Sequence, residues 1–149
     1  MAFSDRELLA RIVQCEARTE KETIGMKAVA TVVMNRVNAS GGEYLRVGQG
    51  GNIRAIIFQQ GQFDCTRETL RNQYNPQNIY NMVPTDEHYE IADWAIAGNK
   101  LNEAGDCLWF MNPFRPECPG TFPYNGSGTL HTRINEHCFY RPTPLYYQT

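Results

Sequence analysis

Glu16 stands in a setting that suits a general acid. The segment Ser4-Asp5-Arg6-Glu7-Leu8-Leu9-Ala10-Arg11-Ile12-Val13-Gln14-Cys15-Glu16-Ala17 opens with Ser4 and Glu7 at capping-box spacing, which predicts a helix N-terminus. Leu8, Leu9, Ile12 and Val13 then recur at helical spacing and define an apolar face. Glu16 follows Ile12 and Val13 by four and three positions, so it falls on or beside that face. It also lies near the helix C-terminus, where the macrodipole disfavours negative charge. Burial and the dipole both raise a carboxyl's pKa. A carboxyl still protonated near neutral pH can deliver a proton to a leaving group. The competing reading turns Glu16 to solvent at a fraying helix end, the common fate of glutamate.

The elements that must position Glu16 follow in order. Thr19 and Glu22 offer a second capping box, and a helix is expected over about Glu22 to Val37. Ile24, Ala28, Val29, Val32, Val33 and Val37 supply its apolar positions. Its β-branched residues weaken intrinsic helicity, so packing must hold it as the central core helix. Asn35 and Arg36 interrupt the run, either as a solvated helix end or as a polar contact with the loops that follow. The glycines from Asn38 to Asn52 predict a loop. A short helix is expected over Ile53 to Phe58, then the turn Gln59-Gln60-Gly61-Gln62-Phe63. Another short helix is expected near Thr66 to Tyr74. Thr85 is the expected cap of a helix that Gly98 stops. Leu108 to Met111 reads as a strand ended by Asn112-Pro113. Pro113 to Gly128 reads as an ordered loop or lid, and Ile134 to Tyr140 as a further short strand. The class is α+β, mainly α, with a small C-terminal β element.

Composition narrows the function. The chain has 149 residues, 42% hydrophobic and 20% charged, enough for one domain with a real core. A net charge of -2 and a pI of about 5.9 give no basic balance that would point to nucleic acid. No apolar run is long enough to span a bilayer, and Met1 to Asp5 does not read as a signal peptide. Cys15, Cys65, Cys107, Cys118 and Cys138 form no CxxC, so buried reduced thiols are expected, with one disulfide among the later four as the alternative. Asp64, Asp86, Asp93 and Asp106 are scattered without calcium-loop spacing, so no metal and no cofactor are expected.

Several segments together carry a resemblance. They are Ala10-Arg11-Ile12-Val13 leading into Glu16-Ala17-Arg18-Thr19-Glu20, Gly25 with Ala28-Val29-Ala30, and Val33-Met34-Asn35-Arg36-Val37. Gly61-Gln62-Phe63, Leu108-Trp109-Phe110-Met111-Asn112-Pro113, and Ile134 with His137 and Phe139 follow in order. In this series the chain resembles the SleB/CwlJ family of bacterial cell-wall hydrolases, the spore-cortex-lytic enzymes. The resemblance implies a lysozyme-like or lytic-transglycosylase-like helical fold, residues 1–149 as a single catalytic domain, peptidoglycan as substrate and one glutamate as catalytic acid. That glutamate falls on Glu16. Cys15 stands where the family usually has Gly or Ala, Asn135 where it usually has Gly, and the Pro113 to Gly128 segment is longer than typical.

Cleaving a glycosidic bond needs a proton on the leaving oxygen and stabilisation of an oxocarbenium-like centre. Glu16 is the candidate acid and Glu20 the nearest candidate second carboxylate. The alternative role for Glu20 is the first turn of the next helix. Without a second carboxylate, Glu16 serves as acid and then as base while the sugar's C6 hydroxyl closes a 1,6-anhydro ring. Gln62, Phe63 and Asn112 are the candidates for holding the glycan, the amides by hydrogen bonds and the ring by stacking. Phe63 as core and Asn112 as a turn cap compete with those roles. His137 joins the substrate-binding candidates, against the reading of a satisfied core histidine. Cysteine–histidine chemistry between Cys15 and His137 has no feature to bring the pair together. Two settings remain open. One is a spore enzyme at the coat–cortex boundary with a spore-coat partner protein. The other is a phage or prophage lysin held in the cytoplasm until lysis. A glycan-binding coat protein without turnover is the non-enzymatic reading.

Overall fold

The computed structural model describes residues 2–149. Helix α1 runs Asp5–Glu16 and starts where the capping box puts it, with Ser4 Oγ accepting from the Glu7 amide at 3.1 Å. Glu7 does not return the bond to Ser4. Its carboxylate accepts from the Tyr89 hydroxyl and lies 3.8 Å from Arg11. Leu8, Leu9, Ile12 and Val13 are fully buried. Helix α2, Thr23–Val37, is buried continuously from Ala28 onward, which is how a Val-rich segment stays helical. Its expected Thr19 cap is not made: Glu22 holds the cap position without a side-chain bond. Helix α5, Asp86–Ile96, packs on both α1 and α2. Thr85 caps it, with His88 completing the box.

Two segments between α2 and α5 depart from expectation. Within the glycine-rich stretch, Gly42–Gly48 forms helix α3. The glycines bound a run of helix-compatible residues whose Tyr44 is buried and stacked on Tyr146. Gly42 has φ of 70°, and a Cβ there would lie 2.5 Å from the Tyr146 ring. Helix α4, Ile53–Ile57, follows as expected, capped by Asn52. The helix expected near Thr66 to Tyr74 is instead a 3-10 turn, Asp64–Thr66, and a hairpin of β1, Thr69–Leu70, with β2, Gln73–Tyr74. Arg71 and Asn72 turn it at φ of 52° and 65°, the left-handed pair of a two-residue hairpin loop.

The C-terminal β element is a three-stranded antiparallel sheet in the order β3-β5-β4. Its strands are β3, Trp109–Met111, β4, Gly128–Ile134, and β5, His137–Pro142. Trp109 pairs with Tyr140, and Ile134 with His137 across a turn at Asn135. The expected strand from Ile134 to Tyr140 thus contains a hairpin turn, with Asn135 at φ of 52°. Strand β4 fills the interval between the expected loop and the expected strand, where no element was expected, because its middle residues are exposed and lack an apolar alternation. The Pro113 to Gly128 segment is docked on this sheet. Tyr140 donates to the Pro119 carbonyl at 2.7 Å, and Leu130 N–H to the Gly120 carbonyl at 2.9 Å.

Four cysteines are oxidised, Cys15 with Cys65 and Cys118 with Cys138, leaving Cys107 free and buried. This corrects the expectation of reduced thiols. The Cys118–Cys138 bond is of the kind held open for the later four. The Cys15–Cys65 bond joins residues 50 apart that only the tertiary fold brings together.

Candidate active site

Glu16 is the last residue of α1 and lines two adjoining cavities, of about 390 and 460 Å³. Gln62 and Phe110 line both as well. Among the described residues the Glu16 carboxyl has no hydrogen-bond partner. Burial pushes its pKa from 4.5 up to about 7. The Arg36 and Arg18 cations pull it down, and the Asp64 carboxylate adds to the rise. This is the environment of an acid poised at neutral pH.

Arg36 enters the first cavity from the end of α2. It is 4% exposed, and its guanidinium lies between the rings of Tyr44 and Phe63, 4.8 and 4.9 Å from their centroids. Its Nε donates to the Leu108 carbonyl at 2.7 Å. Asn35, one residue earlier, donates to the carbonyls of Gly105 and Cys107 at 3.0 and 2.9 Å. The polar end of α2 therefore fixes the entry to β3, the alternative the sequence allowed for these two residues.

Gln62 accepts at Oε1 from the Tyr44 hydroxyl at 2.8 Å and from Arg36 at 3.4 Å. With its oxygen so engaged, the side-chain amide is left to donate, as a group receiving an acetamido carbonyl should. Phe63 lines the first cavity but is 2% exposed, stacked on Phe110 with Arg36 against its ring. Its faces are occupied, which favours the core reading over sugar stacking. Asn112 lines the second cavity and accepts at Oδ1 from the Phe114 amide at 2.8 Å, so it also caps its turn.

Glu20 and His137 meet each other instead of flanking Glu16. Glu20 is buried and accepts from His137 Nδ1 at 2.7 Å and from the Glu136 amide at 3.1 Å. Glu20 lines neither cavity, whereas His137 reaches the wall of the second. The carboxylate that shares the second cavity with Glu16 is Asp64. In the sequence Asp64 is only one scattered acid, although it directly follows the Gly61-Gln62-Phe63 turn. Tyr44 was hidden among glycines. Glu16 also has donor atoms within 4.8 Å of the sulfurs of Cys15 and Cys65. Those sulfurs are bonded to each other and offer no thiolate to a metal.

A sequence-family match labelled Cell Wall Hydrolase covers residues 20–140. The chain belongs to the Cell Wall Hydrolase family. The expectation drawn from the motif series is met, although the matched segment begins at Glu20, so the case for Glu16 rests on its geometry. Among solved structures, this cell wall hydrolase is similar to the catalytic domain of the germination-specific lytic transglycosylase SleB from Bacillus anthracis. The TM-score is 0.65 at 22% identity, over 95% of this chain and 97% of that one. It is also similar to the catalytic domain of the Bacillus cereus SleB protein. There the TM-score is 0.61 at 22% identity, over 94% and 93% of the two chains. The expected helical fold with a small β element is therefore that of the SleB catalytic domain. A comparison with curated protein sequences finds no match. No helix among the described residues is long and apolar enough to cross a membrane.

Proposed function

We propose that this cell wall hydrolase is a peptidoglycan glycosidase with Glu16 as general acid. It would act on spore cortex during germination, where the namesake of its structural relatives is germination-specific. The single observation that carries the reading is the Glu16 carboxyl at the junction of two cavities, without a hydrogen-bond partner among the described residues and with a pKa of about 7. A glycan threaded through both cavities puts its scissile oxygen at that carboxyl.

Protonated Glu16 gives its proton to the bridging oxygen, and the C1–O bond breaks toward an oxocarbenium-like centre. The resulting carboxylate then takes the proton of the same sugar's C6 hydroxyl as O6 bonds to C1. No water is consumed and the acid is regenerated. Hydrolysis differs only in the second half: water attacks C1, and a carboxylate accepts its proton. Of the carboxylates that share a cavity wall with Glu16, Asp64 and Glu43, Asp64 is the one whose charge acts on Glu16, and it takes that role in place of Glu20. Gln62 and Asn112 receive acetamido and hydroxyl groups, and His137 supports the wall from behind. A spore-coat partner that holds the enzyme at the cortex completes the proposed setting.

The test incubates wild type and Glu16→Gln with cortex and with vegetative peptidoglycan and identifies the released ends by mass spectrometry. Anhydro-muramyl ends from wild type alone support one-glutamate chemistry. Reducing ends move the second step to Asp64. Binding without release of either end, in the presence of spore-coat extract as well, rejects the enzyme reading in favour of a glycan-binding protein.

A further inference from the structure

We propose that Phe114 is a stacking platform for a sugar of the glycan strand, on the wall of the second cavity. The inference rests on the peptidoglycan reading and adds a binding residue to it. Phe63, the aromatic that the sequence offers for stacking, is 2% exposed and has its ring covered. Phe114 is 81% exposed and lines the same cavity as Glu16 and Asn112. A large apolar ring left in water on a cavity wall offers a bare face that a ligand can cover. The apolar face of a pyranose ring, with its axial C–H groups, suits a phenyl face, while the sugar's hydroxyls stay wet at the rim.

The chain invests in holding the ring there. Phe114 has φ of 54°, a left-handed backbone that a bulky residue rarely adopts. Asn112 enforces it by accepting the Phe114 amide at 2.8 Å. The next residues are braced, because Arg133 Nη1 donates to the carbonyls of Arg115 and Pro116, both at 2.8 Å. The Cys118–Cys138 disulfide ties the same segment to β5. A platform so fixed loses little freedom when a sugar settles on it. Asn112 thereby acts twice, as a cavity amide and as the positioning residue for Phe114.

The experiment measures co-sedimentation of Glu16→Gln protein with insoluble peptidoglycan, in three forms: the parent, with Phe114→Ala added, and with Phe114→Trp added. Product release by the otherwise wild-type enzyme, with and without Phe114→Ala, is measured in parallel. The Ala form is expected to bind about tenfold more weakly and the Trp form to match the parent. In the active enzyme, KM is expected to rise by more than kcat falls. Equal melting temperatures establish that the folds are intact, as an 81% exposed side chain should allow. Ala and parent binding within twofold of each other overturns the platform, as does a Trp form as weak as Ala. Wild-type product with unchanged Ala binding rejects the platform alone. Weakened Ala binding with no wild-type product keeps the platform and rejects the enzyme reading.

Discussion

Glu20 and His137 share a 2.7 Å hydrogen bond between two side chains that are both buried. The bond ties the α1–α2 connection to the β4–β5 turn, and Glu20 adds the Glu136 amide at 3.1 Å. Gly25 leaves room for it: a Cβ there would lie 2.4 Å from Glu20 Oε2. The pair therefore acts as a clamp beneath the cleft, and His137 packs T-shaped against Phe110 on the cavity wall.

Glu20→Ala should consequently cost stability first. Removing one partner of a buried pair leaves the other uncompensated, at about 3 kcal/mol. Denaturant unfolding is expected to show that loss, while protein that remains folded at low temperature keeps the wild-type pH profile of glycan release. Unchanged stability with abolished turnover would instead make Glu20 a catalytic carboxylate.

The clamp also explains what the sequence could and could not disclose. Helix α1 and the burial of Glu16 at its end were legible because capping and apolar spacing are local signals, and α5 was marked by Thr85 in the same way. The partners of Glu20 lie 116 and 117 positions away, so no spacing announces them. Asp64 and Tyr44 reach the cleft through a 3-10 turn and a short helix, both too brief to show a period. The hairpin at Arg71 was missed because arginine is a poor advertisement for a left-handed turn. Strand β4 was missed because its middle residues face solvent on an edge strand.

The pKa of Glu16 sets opposite trends for activity and stability at a single position. As the proposed acid, Glu16 must be protonated, so kcat/KM should fall as pH rises through about 7. The folded carboxyl holds its proton more tightly than the unfolded one. Between about 4.5 and 7 the native state thus binds more protons, and stability from this group falls as pH rises. The rise from 4.5 to about 7 corresponds to about 3 kcal/mol at most. Glu16→Gln should then be inactive but more stable than wild type at pH 8, with the advantage vanishing near pH 4. Paired melting curves at the two pH values check this, and a pH-independent difference would contradict the shift.

The disulfides divide the thiols into distinct classes. The Cys15–Cys65 bond closes a 50-residue separation, and constraint of the unfolded chain is worth about 4 kcal/mol. Cys15→Ser with Cys65→Ser is expected to lower the melting temperature and, because Glu16 and Gln62 flank the bond, to depress kcat. Cys107 is buried with its thiol pushed up to about 12, so it should resist alkylation until the fold is opened. Peptide mapping after iodoacetamide treatment, native against denatured, reads all five cysteines together. Ready labelling of native Cys15 would remove the bond from the account.

Asp64 offers the sharpest separation between the two chemistries. Its carboxylate raises the pKa of Glu16 by repulsion, so Asp64→Asn should move the alkaline limb of the activity profile to lower pH. That shift is expected under either mechanism, because it acts through charge on the acid. The size of the rate loss differs. If the C6 hydroxyl closes the ring, Glu16 does both proton transfers and the variant keeps its rate below the displaced limb. If water attacks, Asp64 is the base, and its loss should lower kcat by about 100-fold or more. Measuring kcat at pH 5, where Glu16 is protonated in both proteins, isolates this effect from the shift. A fall at pH 5 together with reducing ends assigns Asp64 as base. An unchanged kcat with anhydro ends leaves Glu16 alone in the chemistry and confines Asp64 to tuning it.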